Sequence, residues 1–213
     1  LLDKIEFSHD DELFLLGDYL DRGPDSKGVI DAIWQLDEEG HKVKCLRGNH
    51  EQMLLNDIEN GSMWGYGSDP AMLKSFGAKD VKNIPEEYVD WIEKLPYYVE
   101  TDGYILVHAG LDFLTGDPYA NTGDMLWSRN WYQQLDREWL GDRIIVHGHT
   151  PTIQSEIEAS LNNLNNLPIV NIDNGCFYRG TGKGFLCAFE MTKKELFFQE
   201  NEDRSARSLL WEY

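Results

Sequence analysis

The stretch Leu13-Phe14-Leu15-Leu16-Gly17-Asp18-Tyr19-Leu20-Asp21-Arg22-Gly23 carries the pattern that decides the fold. Four apolar residues run into a glycine, and two carboxylates and an arginine follow within six positions. A run this short, cut off by glycine and polar residues, reads as a buried strand that ends in a loop. The pattern recurs three times. Val43-Lys44-Cys45-Leu46 leads into Arg47-Gly48-Asn49-His50-Glu51, and Tyr104-Ile105-Leu106-Val107 leads into His108-Ala109-Gly110. Ile144-Ile145-Val146 leads into His147-Gly148-His149-Thr150. Pro168-Ile169-Val170-Asn171-Ile172 is a fifth strand candidate.

Helical patterns fill the gaps. Pro24-Asp25-Ser26 is a helix start, and Val29, Ile30, Ile33 and Trp34 then recur at helical spacing. Residues 51–60 read as a second helix stopped by Gly61, and residues 86–95 as a third stopped by Pro96. Residues 184–190 and 195–200 read as a hairpin around Thr192-Lys193-Lys194. Strands alternating with helices predict an α/β fold with stacked layers. Residues 63–80 mix aromatics with glycine and polar residues, which predicts an irregular loop or short helical insertion that serves local packing rather than a lid.

The chain has 213 residues, 41% of them hydrophobic, and no internal repeat or linker, so one domain is expected. Its net charge of −19 repels phosphate backbones and anionic membranes, so neither a nucleic acid nor a membrane is an expected partner. Cys45, Cys176 and Cys187 form no CxxC pair, which argues against a zinc ribbon or a secreted disulfide framework and for a reducing cytoplasm. Most of the acidic residues are expected on solvated faces. The first residue is Leu1, and the start of the natural chain is expected to be absent.

Ligands in open α/β sheets gather beyond the carboxyl ends of strands, so the four polar tails are expected in one region. Asp oxygen, Asn carbonyl oxygen and two imidazoles suit Mn²⁺, Fe or Zn²⁺. Arg22, Arg47 and Arg129 add guanidinium groups, which fork onto phosphate oxygens. Metal ligands beside arginines, with no serine or cysteine nucleophile in a recognisable elbow, point to metal-assisted hydrolysis of a phosphate ester.

In this order, Gly17-Asp18-Tyr19-Leu20-Asp21-Arg22-Gly23, Arg47-Gly48-Asn49-His50-Glu51, His108-Ala109-Gly110 and His147-Gly148-His149-Thr150 resemble the phosphoprotein phosphatase family of metallophosphoesterases. The likeness is to its small bacterial and phage members, relatives of the symmetrical diadenosine tetraphosphatases. It implies a calcineurin-like four-layer α/β/β/α sandwich over residues 1–213, with two divalent metal ions, Mn²⁺ first and Fe or Zn²⁺ as alternatives. It implies Asp18 as the bridging metal ligand, with Asn49, His108 and His149 as further ligands. Arg22, Arg47 and, on a shorter match, Arg129 would hold the phosphate. His50, oriented by Asp21, would be the general acid opposite a metal-bridged hydroxide. Asp173 is given no direct chemical role.

One family motif is unmatched. The family's first strand ends in Gly-Asp-x-His-Gly, and nothing here corresponds to it; Ser8-His9-Asp10-Asp11 precedes a strand and reads as a solvated turn. The chain is therefore expected to begin, at Leu1-Leu2-Asp3-Lys4-Ile5, inside the helix after that missing strand. The resemblance implies a serine/threonine or dual-specificity protein phosphatase first, because Asp21-Arg22 stands where the tetraphosphatases tend to have Ala-Arg. The alternative enzyme is a dinucleoside polyphosphate hydrolase. A non-catalytic binding module is the alternative from another class, and a nuclease is disfavoured by the charge.

Overall fold

A computed structural model describes residues 1–61, 69–178, 180 and 182–203. In chain order its elements are β1 (Glu12–Leu15), α1 (Ser26–Glu38), β2 (Lys42–Cys45), α2 (Asn49–Asn60), α3 (Pro70–Ser75) and α4 (Glu86–Glu93). There follow β3 (Tyr98–Thr101), β4 (Tyr104–Val107), α5 (Thr122–Trp127), α6 (Arg137–Leu140), β5 (Ile144–His147) and α7 (Gln154–Asn162). The chain continues through β6 (Ile169–Asn171), β7 (Phe185–Glu190) and β8 (Glu195–Glu200).

Among the described residues three sheets result. β1 and β2 pair in parallel. β3, β4, β5 and β6 lie side by side in that order, with β3 antiparallel to β4 and the rest parallel. β7 and β8 form the expected antiparallel hairpin. The mixed α/β content is what the alternating pattern predicts.

β4 and β5 are buried at every position. Their alternate residues divide between two cores, as the two-residue period of a strand requires. Ile105, Val107 and Ile145 join Leu111, Met125, Trp131, Leu140 and Ile169 on one face. Tyr104, Leu106, Ile144 and Val146 join Leu46 and Val170 on the other. A continuous apolar run is the signature of a parallel strand covered on both faces. A third core packs α1, α2, α3 and α4 together through Ile30, Ile33, Leu54, Met72, Tyr88 and Ile92. Asp25 caps α1 by accepting the Gly28 N–H at 2.9 Å, as the Pro-Asp-Ser signal suggests.

Four expectations need correction or completion. Residues 2–6 are hydrogen-bonded turns: the Ile5 N–H reaches the Leu1 carbonyl at 3.1 Å, a single helical bond, and Glu6, at φ 53°, then leaves the right-handed region. β3 was not foreseen, because Tyr98-Val99-Glu100-Thr101 mixes polar and apolar positions at the edge of its sheet. Of the 63–80 segment, residues 63–68 lie outside the described residues. The rest packs: Met72 and Phe76 are buried, and Asp69 caps α3 while accepting the Arg22 backbone N–H at 2.9 Å. Ser8 and Asp11 do form an exposed turn, with the Ser8 hydroxyl donating to the Asp11 carboxylate at 2.8 Å.

Candidate metal and phosphate site

The loops after β1, β2, β4 and β5 converge. Gly17 makes the first approach feasible: it sits at φ +102°, and a Cβ there would lie 2.5 Å from the Gly48 nitrogen. A side chain at Gly48 would in turn lie 2.3 Å from Asp18 Oδ1. Only glycine at both positions lets the two loops touch.

Asp18, Asn49, His108 and His149 meet around one point. His108 Nε2 lies 3.0 Å from Asn49 Oδ1, 3.2 Å from His149 Nδ1 and 3.4 Å from Asp18 Oδ1. Asn49 Oδ1 lies 2.8 Å from His149 Nδ1. The orientation of these groups is fixed by their outer partners. His108 Nδ1 is 2.8 Å from the Leu16 carbonyl, which only accepts, so Nδ1 donates to it and Nε2 is the ring nitrogen turned into the cluster. The Asn49 amide donates to Met53 Sδ at 3.8 Å, which turns its oxygen inward. Burial first, then the charges of His108 and Arg129, push His149 down to about 3, so its ring is neutral at pH 7. A carboxylate oxygen, an amide oxygen and two ring nitrogens crowded around one point are the donor set of a cation site. Asp18, His108 and His149 present ligand atoms within 4.8 Å of one another. Two imidazoles, a carboxylate and an amide oxygen fit a divalent first-row metal.

Backbone strain marks the same place. Asp18, Asp21, Arg22 and His149 all hold left-handed φ values, between 60° and 67°. Such positions cost about 1–3 kcal/mol each and persist where the surroundings over-determine them. The chief restraint is Glu51, which is fully buried. Its carboxylate accepts the N–H groups of Asp18, Tyr19 and Gly48 at 2.8 Å and of Leu20 at 3.2 Å. Burial and the Asp18 charge raise this carboxyl, to about 7, while the donating N–H groups of Asp18 and Gly48 pull it back. Sequence reasoning gave Glu51 no role. Its signal was available at the start of α2, where a Glu three residues after the N-cap reaches back to the cap N–H.

His50 stands beside the cluster with its Nδ1 2.6 Å from Asp21 Oδ2. Burial lowers the pKa of His50, and the Asp21 hydrogen bond together with the Asp18 charge more than offsets it, leaving it raised. With Nδ1 engaged, the buried Nε2 has no hydrogen-bond partner among the described residues and is the atom available to a substrate. Arg22 is exposed, with its guanidinium 4.8 Å above the Phe177 ring. Arg129 is exposed, and its charge is felt at His149.

Arg47 is not brought into the cluster. Its guanidinium lies on the Tyr97 ring at 4.8 Å and donates to Gln52, to the Tyr97 hydroxyl and to the Glu93 carbonyl. Those three acceptors lie at the start of α2, just beyond α4 and at its last residue. Asp173 lies closer than its sequence role implied. It is held by Asn171 and Gly175, and burial, followed by the Asp18 charge, raises its carboxyl. Tyr132 was also unforeseen; its hydroxyl lies 2.6 Å from His147 Nε2, while His147 Nδ1 donates to the Gly148 carbonyl next to His149.

Among the described residues no helix is long and apolar enough to cross a membrane. Comparison with known proteins places this geometry. The calcineurin-like phosphoesterase profile matches residues 1–174. The asymmetrical bis(5'-nucleosyl)-tetraphosphatase PrpE of Oceanobacillus iheyensis is 26% identical over 207 residues, 89% of this chain and 78% of that protein. A symmetrical bis(5'-nucleosyl)-tetraphosphatase of Pseudomonas putida is 30% identical over 116 residues, which span 52% of this chain but only 36% of its own length. The crystal structure of a metallophosphoesterase from Sphaerobacter thermophilus superposes with a TM-score of 0.54 at 17% identity, covering 92% of this chain and 79% of that one, and so shares its fold. The chain belongs to the calcineurin-like phosphoesterase family, whose members are metal-dependent phosphoesterases.

Proposed function

We propose that this chain hydrolyses the phosphoanhydride linkage of dinucleoside polyphosphates. The observation that carries the reading is the relationship over 89% of the chain to a protein named as a bis(5'-nucleosyl)-tetraphosphatase. It reverses the order suggested by the sequence motifs, which placed a protein phosphatase first.

Asp18, Asn49, His108 and His149 would hold the metal. When bound there, a divalent ion supplies Lewis acidity that polarises phosphoryl oxygens and lowers the pKa of water. Arg22 and Arg129 place positive charge beside the cluster and would hold the non-bridging oxygens, offsetting locally a chain charge of −19. His50 would give its Nε2 proton to the leaving oxygen, with Asp21 fixing the tautomer through Nδ1.

One observation favours a second reading, hydrolysis of phosphoserine or phosphothreonine in proteins. A 2.6 Å Asp–His pair that favours the protonated imidazole is of most use when the leaving group is a strongly basic alkoxide. A departing phosphate, with a second pKa of about 6, needs that proton less. The test compares diadenosine tetraphosphate with a phosphoserine peptide on the Mn²⁺-loaded chain. We expect kcat/KM to favour the dinucleotide by at least about tenfold, roughly 1.4 kcal/mol. The products, two ADP or ATP with AMP, identify the bond cleaved. Preference for the phosphopeptide would reject the proposal.

A further inference from the structure

Among the described residues the exposed large aromatic side chains are Trp127 and Tyr178, at 47% and 40% exposure. All the other described Trp, Tyr and Phe residues are buried or partly so. An exposed large ring is the informative exception, and both of these border the site.

Trp127 ends α5, and its ring meets the His149 ring edge-on with centroids 6.1 Å apart. Its position is fixed by the backbone. Asn121 caps α5, and the Met125 carbonyl accepts the Ala109 N–H, in the loop that carries His108, at 2.8 Å. The Tyr178 ring packs against Phe177 at a tilt of 35°, with centroids 4.0 Å apart, and Phe177 carries the Arg22 guanidinium. Two aromatic surfaces thus lie beside an imidazole proposed to hold the metal and an arginine proposed to hold the phosphate. A phosphoserine side chain offers nothing flat to such a surface. A nucleotide offers a base joined to its phosphates by one sugar, and every base has a π face.

We infer that Trp127 is the stacking platform for a nucleobase of the substrate, with the Phe177–Tyr178 pair as a second such surface. The inference rests on the dinucleotide reading and names how the base is held.

The test uses the Mn²⁺-loaded chain and measures inhibition of p-nitrophenyl phosphate hydrolysis by AMP and by ribose 5-phosphate. These inhibitors differ by the base alone. The expected wild-type Ki for AMP is about tenfold the lower. Trp127→Leu, of similar apolar character without a π face, brings the ratio of the two Ki values to about one, and Trp127→Phe restores most of it. A wild-type ratio near one overturns the inference, as does a ratio that survives in Trp127→Leu. An equal rise in both Ki values also overturns it, because it would mark Trp127 as a prop for His149. Turnover of diadenosine tetraphosphate, measured alongside, separates the two claims. A Trp127-dependent AMP preference without dinucleotide hydrolysis keeps the platform and rejects the proposed substrate. Dinucleotide hydrolysis without that preference rejects the platform alone.

Discussion

The β1–β2 loops and the β4–β5 loops deliver their residues to the same point by different means. β1 and β2 are short, and no residue in either is fully buried. Polar contacts hold the loops beyond these two strands: the Glu51 carboxylate on four N–H groups, and the Ser26 hydroxyl on the Asp21 N–H at 3.1 Å. β4 and β5 are buried at every residue, so His108 and His149 extend from an apolar sheet packed on both faces. The first half carries three of the site's left-handed residues, Asp18, Asp21 and Arg22. The second carries one, His149. Geometry in this site therefore depends on hydrogen bonds on one side and on packing on the other, and the two sides should fail differently.

The largest effects come from the residues on which both halves converge. Asp18→Asn is expected to remove bound metal and to lower turnover about 10³-fold or more, the several kcal/mol a Lewis acid supplies. Arg22→Ala should lower turnover while retaining metal, and equal metal loss in the two variants would break the distinction between ligand and phosphate contact. His50→Asn should lower kcat by about 10²–10⁴-fold for an alkyl phosphomonoester, and less for a dinucleotide, with metal content near normal. Loss of metal in that variant would assign His50 to the metal shell instead.

Smaller effects separate the halves themselves. Glu51→Gln leaves an N–H donor facing backbone donors, so metal affinity should fall about 10–100-fold, with about 1–3 kcal/mol lost from folding. Ile145→Ala removes a fully buried side chain from β5. It should cost about 2–5 kcal/mol of stability, lowering Tm by roughly 2–4 °C per kcal/mol, while the folded fraction binds metal as before. Titration calorimetry and thermal melts on both variants check the contrast. Identical profiles would mean that the site has no polar half and apolar half. Tyr132→Phe should cost about 1 kcal/mol, because it leaves His147 Nε2 buried without a donor.

Much of the site was legible because Asp18, Asp21, Arg22, Asn49, His50, His108 and His149 each follow an apolar run by one to six positions. A strand end is a local signal, and the parallel α/β layout then collects such ends. β4 matched its expected run residue for residue, and α1 began one residue after the Asp25 cap. Relations between distant residues were not legible. Glu51 clamps N–H groups more than 30 positions away, and no local pattern announces that. Arg47 looked like a phosphate ligand from its place beside Gly48-Asn49-His50. Its guanidinium also donates to Tyr97, 50 positions on, and to a carbonyl at the end of α4, partners that no local pattern announces. β3 escaped because an edge strand needs apolar residues on fewer positions. Substrate preference was the least legible of all. Asp21 and His50 describe the proton transfer, whereas the exposure of Trp127 becomes visible only after folding.

The most direct test of the central claim is the Mn²⁺ retained per chain after chelator treatment, reloading and gel filtration, for the wild type beside Asp18→Asn. The account requires at least one Mn²⁺ on the wild type, about none on Asp18→Asn, and hydrolysis of diadenosine tetraphosphate by the loaded wild type alone. A wild type that retains no metal, or a variant that retains as much as the wild type, would contradict the assignment of Asp18, Asn49, His108 and His149 as the metal site.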